Sequence, residues 1–265
     1  MKRIVAASRI VLLSLTLIAG CGLLPEQQDE TAKWGPDKIY SEAKEALDGS
    51  NIQRAITLFE KLEARYPYGR YAQQAQLEIA YAHYKEGEPA LAIAACDRFI
   101  KMHPTHQNVD YAYYLKGVVN FLQDDGLLSR LNRQDMTERD PKATRESFDA
   151  FKELVQRFPN SKYAPDSIER MNKLVNALAL HEIHVARYYL NRSAPLAAVN
   201  RASDVLKNFP QTSAVEEALS IMMQGYDALG QPKLRDDARR VLEKNYPQSK
   251  YLTGTEEKKS FWRFF

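Results

Sequence analysis

Histidine is the first residue type in this chain that could do chemistry, and there are five of them. His181 and His184 stand three apart in His181-Glu182-Ile183-His184, so a helix would put both imidazoles on one face. The spacing is one residue short of the zinc-protease pattern, and two ligands fall short of the four a structural zinc takes. The pair therefore reads as a partly solvated helix face, with no metal. His103 and His106 flank Pro104 and read as turn and cap residues. Acidic neighbours such as Asp124-Asp125 and Glu256-Glu257 read as solvated. A glycosidase-type carboxylate pair is recognised only in three dimensions and stays open at this level. The chain has no Gly-x-Ser-x-Gly, no phosphate-binding glycine loop and no dinucleotide fingerprint. The expectation is a protein that is not an enzyme and takes no cofactor.

Tyrosine is the better clue, with fifteen copies. Tyr66, Tyr68, Tyr71, Tyr81 and Tyr84 crowd one stretch, and Tyr111, Tyr113 and Tyr114 follow. Such rings either pack between helices or line a binding face, where tyrosine is an amphipathic contact residue with little rotamer entropy to lose. Tyr66 is the first candidate for peptide contact, with Arg54 and Tyr71 as companions. Cysteine is the other reactive type. Lys2, Arg3 and Arg9 precede an apolar run from Ile10 to Ala19, and Ile18-Ala19-Gly20-Cys21 follows. That run is too short to span a bilayer but suits a signal peptide. The four residues resemble a bacterial lipobox, which implies cleavage before Cys21 and a covalent lipid on its sulfur, diacylglycerol plus an N-acyl chain. Two or more acyl chains suffice for stable anchoring. Cys96 is then left without a partner in the chain, and stability must come from the core alone.

The charge balance follows from the same cut. The whole chain has 37 Lys and Arg against 34 Asp and Glu, and removing the three basic residues of the signal leaves 34 of each. No basic excess remains to attract nucleic acid.

The elements that must position the tyrosines are repeats. An aromatic residue or histidine precedes proline at Tyr66-Pro67, His103-Pro104, Phe158-Pro159, Phe209-Pro210 and Tyr246-Pro247. The intervals between these prolines are 37, 55, 51 and 37 residues, periods typical of stacked helical hairpins. Five positions before each proline stands an apolar residue: Leu62, Phe99, Leu154, Val205 and Leu242. Twelve before stand Ala55, Ala92, Ser147 and Ala198, with Arg235 breaking the rule. Two after stand Gly69, His106, Ser161, Thr212 and Ser249, read as N-caps of the next helix. Apolar stripes such as Ile52, Ala55, Ile56, Phe59 and Leu62 have helical period, and no sustained two-residue alternation marks a strand. The fold expected is all-α, a tetratricopeptide-repeat superhelix of five helix-turn-helix units. The boundaries expected are a signal at 1–20, a lipidated linker at 21–35, units at about 36–69, 70–106, 107–161, 162–212 and 213–250, and a tail at 251–265. Two insertions are expected, a polar loop at Asp124 to Arg139 and a long helix at roughly Asp166 to Leu190. Arg235 and Arg239 fit the polar outer face of a terminal repeat. The tail, closing on Phe261-Trp262-Arg263-Phe264-Phe265, is expected to lie outside the helical core.

The run Arg65-Tyr66-Pro67-Tyr68-Gly69-Arg70-Tyr71-Ala72-Gln73-Gln74-Ala75-Gln76 resembles the BamD, or ComL-like, family of outer-membrane assembly lipoproteins. Asp97-Arg98-Phe99-Ile100, His103-Pro104-Thr105-His106, Arg139-Asp140-Pro141 and Val199-Asn200-Arg201 are similar too. The resemblance covers the chain after the signal and departs from Lys258 to Phe265. It implies a scaffold role in the β-barrel assembly machinery, with a BamA-like barrel protein held through its POTRA domains, small accessory lipoproteins, and unfolded outer-membrane proteins as clients. It further implies lipid attachment at the cell outer membrane, facing the periplasm, which Gly22 after Cys21 suits. Arg201 stands nine residues before its proline, where the other units have Leu58, Ala95, Ala150 and Ala238. It is either a solvated arginine, within reach of Asp204 on the same helix, or, as the resemblance implies, a contact to a POTRA carboxylate. Two other readings stay open: a repeat lipoprotein acting as pilotin or cell-wall adaptor, and a lytic transglycosylase, for which no residues remain to build a catalytic domain.

Overall fold

The aromatic-Pro steps dictate where helices stop. In the computed structural model, which describes residues 29–123 and 141–252, each residue before proline is a helix C-cap. Tyr66, His103, Phe158, Phe209 and Tyr246 share φ between −129° and −135° and ψ between 45° and 64°. The proline ring clashes with a helical conformation at the residue before it. Each of these caps still donates its N–H to the carbonyl four residues back, as Tyr66 does to Leu62 at 2.9 Å. The chain thus leaves the helix at the same phase in every unit.

The described residues form ten helices: α1 (Pro36–Asp48), α2 (Ile52–Arg65), α3 (Arg70–Glu86), α4 (Pro89–Met102), α5 (Val109–Gln123), α6 (Lys142–Arg157), α7 (Ala164–Asn191), α8 (Pro195–Asn208), α9 (Ala214–Ala228) and α10 (Pro232–Asn245). Each packs on the next, and α1 also touches α3, α3 touches α5, and α7 touches α9. This is an all-helical tetratricopeptide superhelix of five helix-turn-helix units, α1/α2 through α9/α10. Prolines stand in the first turn of five helices, where a missing N–H costs nothing: Pro36, Pro89, Pro165, Pro195 and Pro232. The tight reversals need left-handed backbone, supplied by Gly87 at φ +79° and Gly230 at φ +68°.

The repeat alignment marks the core. Leu62, Phe99, Leu154, Val205 and Leu242 are all fully buried, and so are Ala55, Ala92, Ser147 and Ala198. Complete burial of each large side chain contributes about 1.5–3 kcal/mol. Ser147 is tolerated there because its hydroxyl donates to the Gly117 carbonyl at 2.8 Å. Arg235 is the partly exposed exception, paired with Asp227 at 2.7 Å and Asp236 at 2.9 Å. The expected N-caps need correction. Only Gly69 caps its helix; α7 is capped by Tyr163 and α9 by Ser213. Ser161 instead accepts from the Tyr163 N–H at 3.2 Å, building an extra turn ahead of the helix. The long α7, 28 residues, is the expected helical insertion. The signal, Cys21, the 124–139 insertion and the tail from 253 on lie outside the described residues.

Candidate peptide groove and its neighbours

The first helices of successive units line one side of the array, and their tyrosines meet there. Tyr40 of α1, Glu78 and Tyr81 of α3, Tyr111 of α5 and Tyr163 before α7 border a groove of about 660 Å³. Amide side chains of Gln74, Gln107, Asn108 and Asn160 share its walls. Glu78 holds the first wall: it accepts from Tyr40 Oη and from Lys44 Nζ, both at 3.2 Å. Burial, then the Glu78 charge, pushes the Tyr40 hydroxyl up to about 12. Tyr111 is raised further, again by burial first and Glu78 second. Tyr40 already gives its one O–H to Glu78 and can only accept from a ligand, whereas the protonated Tyr111 hydroxyl can donate to a carbonyl or carboxylate.

The far wall is braced as firmly. Tyr163 stacks on Tyr114 with centroids 4.6 Å apart and tilts against Tyr111 at 5.6 Å. Tyr114 donates to Asp166 at 2.8 Å, and Arg170 donates to the same carboxylate at 2.6 Å. Ser161 donates to Asp110 at 2.6 Å. These bonds fix the rims before any ligand arrives, so little ordering entropy is left to lose on binding.

The three sequence candidates separate. Tyr71 does not line the groove but packs against Tyr40, which does, its ring 5.5 Å away, with the Arg70 guanidinium 4.9 Å over its face. Tyr66 is half-buried; it packs on the first-unit core and donates to the Trp34 carbonyl at 3.1 Å. Arg54 is twelve residues from Tyr66 on the same helix, roughly 18 Å at 1.5 Å per residue. It borders another cleft, about 570 Å³, with Asp29, Trp34 and Lys61. That cleft is shaped by the N-terminal segment, which is clamped to α2: Asp29 receives Lys61 at 2.7 Å and Arg65 at 2.9 Å. Bonds from Lys61 and then Thr31 hold the Asp29 carboxyl far below its usual range.

Sequence reasoning missed Tyr40, Glu78 and Tyr163, and named Tyr111 only as one of a crowd. No short motif could have joined them, since they come from four segments spread over more than a hundred residues. Arg201 also differs from expectation. It pairs with Glu182 of α7 at 3.1 Å rather than with Asp204. Its side chain is 44% exposed against 12% for Glu182. Among the described residues no three His, Cys, Asp or Glu side chains converge as a metal site. Cys96 is buried, its thiol pushed up to about 12 by burial first and Asp97 second. No helix among the described residues is long and apolar enough to cross a membrane.

The described residues define a helical repeat protein of the tetratricopeptide type with a preformed groove lined by tyrosine and amide side chains. Comparison with known proteins narrows the class. The family described as "YfiO: Outer membrane lipoprotein" matches residues 34–242. "Outer membrane protein assembly factor BamD" of Neisseria meningitidis is 47% identical over 96% of this chain and 96% of its own. The proteins of that name from Vibrio cholerae and Xylella fastidiosa are each 36% identical, over 88% and 92% of this chain and 96% and 84% of theirs. The chain belongs to the BamD family of outer membrane protein assembly factors. Among solved structures, the tetratricopeptide domain of P58(IPK) is similar at 16% identity and a TM-score of 0.40, over 80% of this chain and 51% of that one.

Proposed function

We propose that this chain is a non-enzymatic scaffold of outer-membrane β-barrel assembly, tethered by a lipid on Cys21, which receives unfolded outer-membrane proteins and holds a barrel subunit beside them. Membership of the BamD family supports the assembly role. The groove braced by Glu78, Asp110 and Asp166 carries the client reading, because its hydroxyls and amides match the backbone of an extended peptide. Tyr71 backs the groove wall through its contact with Tyr40. Tyr66 packs behind it on the same first-unit core as Tyr40. Arg54 serves the neighbouring cleft, where a longer segment could continue. The C-terminal units hold the barrel protein's POTRA domains, with small accessory lipoproteins beside them. Arg201 is the proposed contact to a POTRA carboxylate: a guanidinium has five N–H donors, and the bond to Glu182 uses one. The units run at about 36–69, 70–106, 107–161, 162–212 and 213–250.

The groove is tested with a labelled peptide ending in an aromatic residue. Tyr111→Ala and Glu78→Ala should each weaken its binding about tenfold, with melting curves recorded beside the titrations. Unchanged affinity in both variants would return the tyrosines to a packing role. For the tether, Cys21→Ser should abolish acyl labelling of cells expressing the chain; label that persists would place the lipid elsewhere.

A further inference from the structure

The first unit has an end whose chemistry the groove does not use. The N-terminus of α1, the C-terminus of α2 and the N-terminus of α3 meet there, joined by the Tyr66–Trp34 bond at 3.1 Å and the Tyr40–Tyr71 contact at 5.5 Å. From the turn between α2 and α3 protrudes Tyr68, 99% exposed. A ring left wholly in water is unusual for a residue whose apolar area favours contact. Two cations flank it over neighbouring rings. Arg70 lies over Tyr71 at 4.9 Å and Lys38 over Trp34 at 4.6 Å. Both cations are exposed, whereas Trp34 and Tyr71 are half-buried.

We infer that this end of the first unit seats on a phospholipid headgroup layer, with Tyr68 entering the interface and Arg70 and Lys38 reaching lipid phosphates. Tyr and Trp prefer the headgroup level, where the ring is shielded and the hydroxyl or N–H stays wet. Lysine and arginine stems cover apolar surface while the charged heads meet the polar layer. The tether argues for this end rather than the other. The Asp29 clamp to Lys61 and Arg65 fixes the start of the described chain on the later turns of α2, beside this turn. From Cys21 to Asp29 is eight residue steps, a reach of at most about 26–29 Å. The opposite end of the unit lies a further helix length away, about 21 Å for the 14 residues of α2, which the tether could span only when drawn out over most of its reach. This seat therefore rests on the proposed acylation of Cys21 for its orientation, though not for its chemistry. Charge complementarity is modest and of the right sign. Lys38 and Arg70 are exposed at this end beside the exposed Asp37, while Asp29 and Glu63 are already held by Lys61 and by Arg98 at 3.1 Å.

The test uses the chain from residue 21 on, carrying Cys21→Ser so that no acyl group contributes. Trp262→Phe leaves Trp34 as the one tryptophan, since the chain has two. Vesicles of phosphatidylethanolamine and phosphatidylglycerol with brominated acyl chains are the probe. Trp34 fluorescence should be quenched on titration, a local signal that binding through the aromatic tail would not produce. Tyr68→Ser should reduce the partitioning severalfold. Arg70→Glu should reduce it by about fivefold for each unit of charge on the anionic vesicles, and far less on neutral ones. Both positions are exposed, so melting temperatures should stay put. Absence of quenching, or quenching undiminished in the double variant, would overturn the seat. A Tyr68→Ser protein that loses peptide affinity but keeps vesicle binding would overturn it too, assigning the turn to the client groove. Acyl labelling of the unmodified chain reports on Cys21 separately, so the two readings fail independently.

Discussion

The two halves of the superhelix use the same hairpin and pack it differently. In the C-terminal half, Ala179, Ala186, Ala198, Ala202, Ala214 and Ala218 are all essentially without exposure and form the core with Ile183, Val205 and Ile221. Small side chains let helix axes approach closely. Gly225 carries this furthest, since a Cβ there would run into Val199. In the N-terminal half, Tyr40, Tyr81, Tyr111 and Tyr163 stand between the first helices of neighbouring units. Large rings hold those helices apart, and their hydroxyls require partners when half-buried. The outcome is a groove with polar, braced walls in one half and tightly closed helices in the other. The same repeat thus becomes a receptor or a strut according to side-chain volume at one face.

Three changes would break or sharpen that contrast. Phe59→Ala removes a fully buried ring that supports Tyr40 at 5.7 Å. It should cost about 3–5 kcal/mol in denaturant melts and loosen the groove with it; a loss under about 1 kcal/mol would show that the tyrosine wall stands without the core. Ala218→Leu adds volume where the strut half has none to spare, and overpacking should cost about 1–3 kcal/mol. An unchanged melt would refute the claim that this half is the close-packed one. Arg201→Ala has the smallest expected effect on stability, about 1 kcal/mol or less, because the arginine is substantially exposed and an exposed pair is screened by solvent. Arg201→Glu should nonetheless lower recovery of a barrel partner in pull-downs; full recovery would remove the proposed contact.

Alkaline pH probes the groove wall by another route. Tyr40 is raised from 10.0 to about 12, so the folded state holds its proton after the unfolded chain has released it. Stability from this group is complete below pH 10 and is lost as pH rises through about 12. In Tyr40→Phe the decline of stability over that window should be shallower. An identical slope would mean that the hydroxyl is as free to ionise in the fold as in water.

Much of the architecture was legible in the residues themselves. Proline disfavours the helical conformation just before it, so five recurring steps of an aromatic residue or histidine before proline were set to end five helices. Apolar residues at one fixed distance from each proline had to share a face, and the helical period put them in the core. These rules act within a few residues, which is why local sequence could carry them. The candidate site was legible only in part. Tyr71 stands against Tyr40 of the groove wall, but Arg54 lies a helix length from Tyr66, a separation visible in the spacing once both are known to be on one helix. Arg201 was marked as a break in the pattern, and its position told that it would not enter the core. Its pairing with Glu182 instead of Asp204 depended on α7 lying against α8. Tyr40, Glu78, Tyr111 and Tyr163 form one surface for the same reason. The turn of each hairpin on the next sums small rotations over three units, and only that sum decides which distant side chains converge.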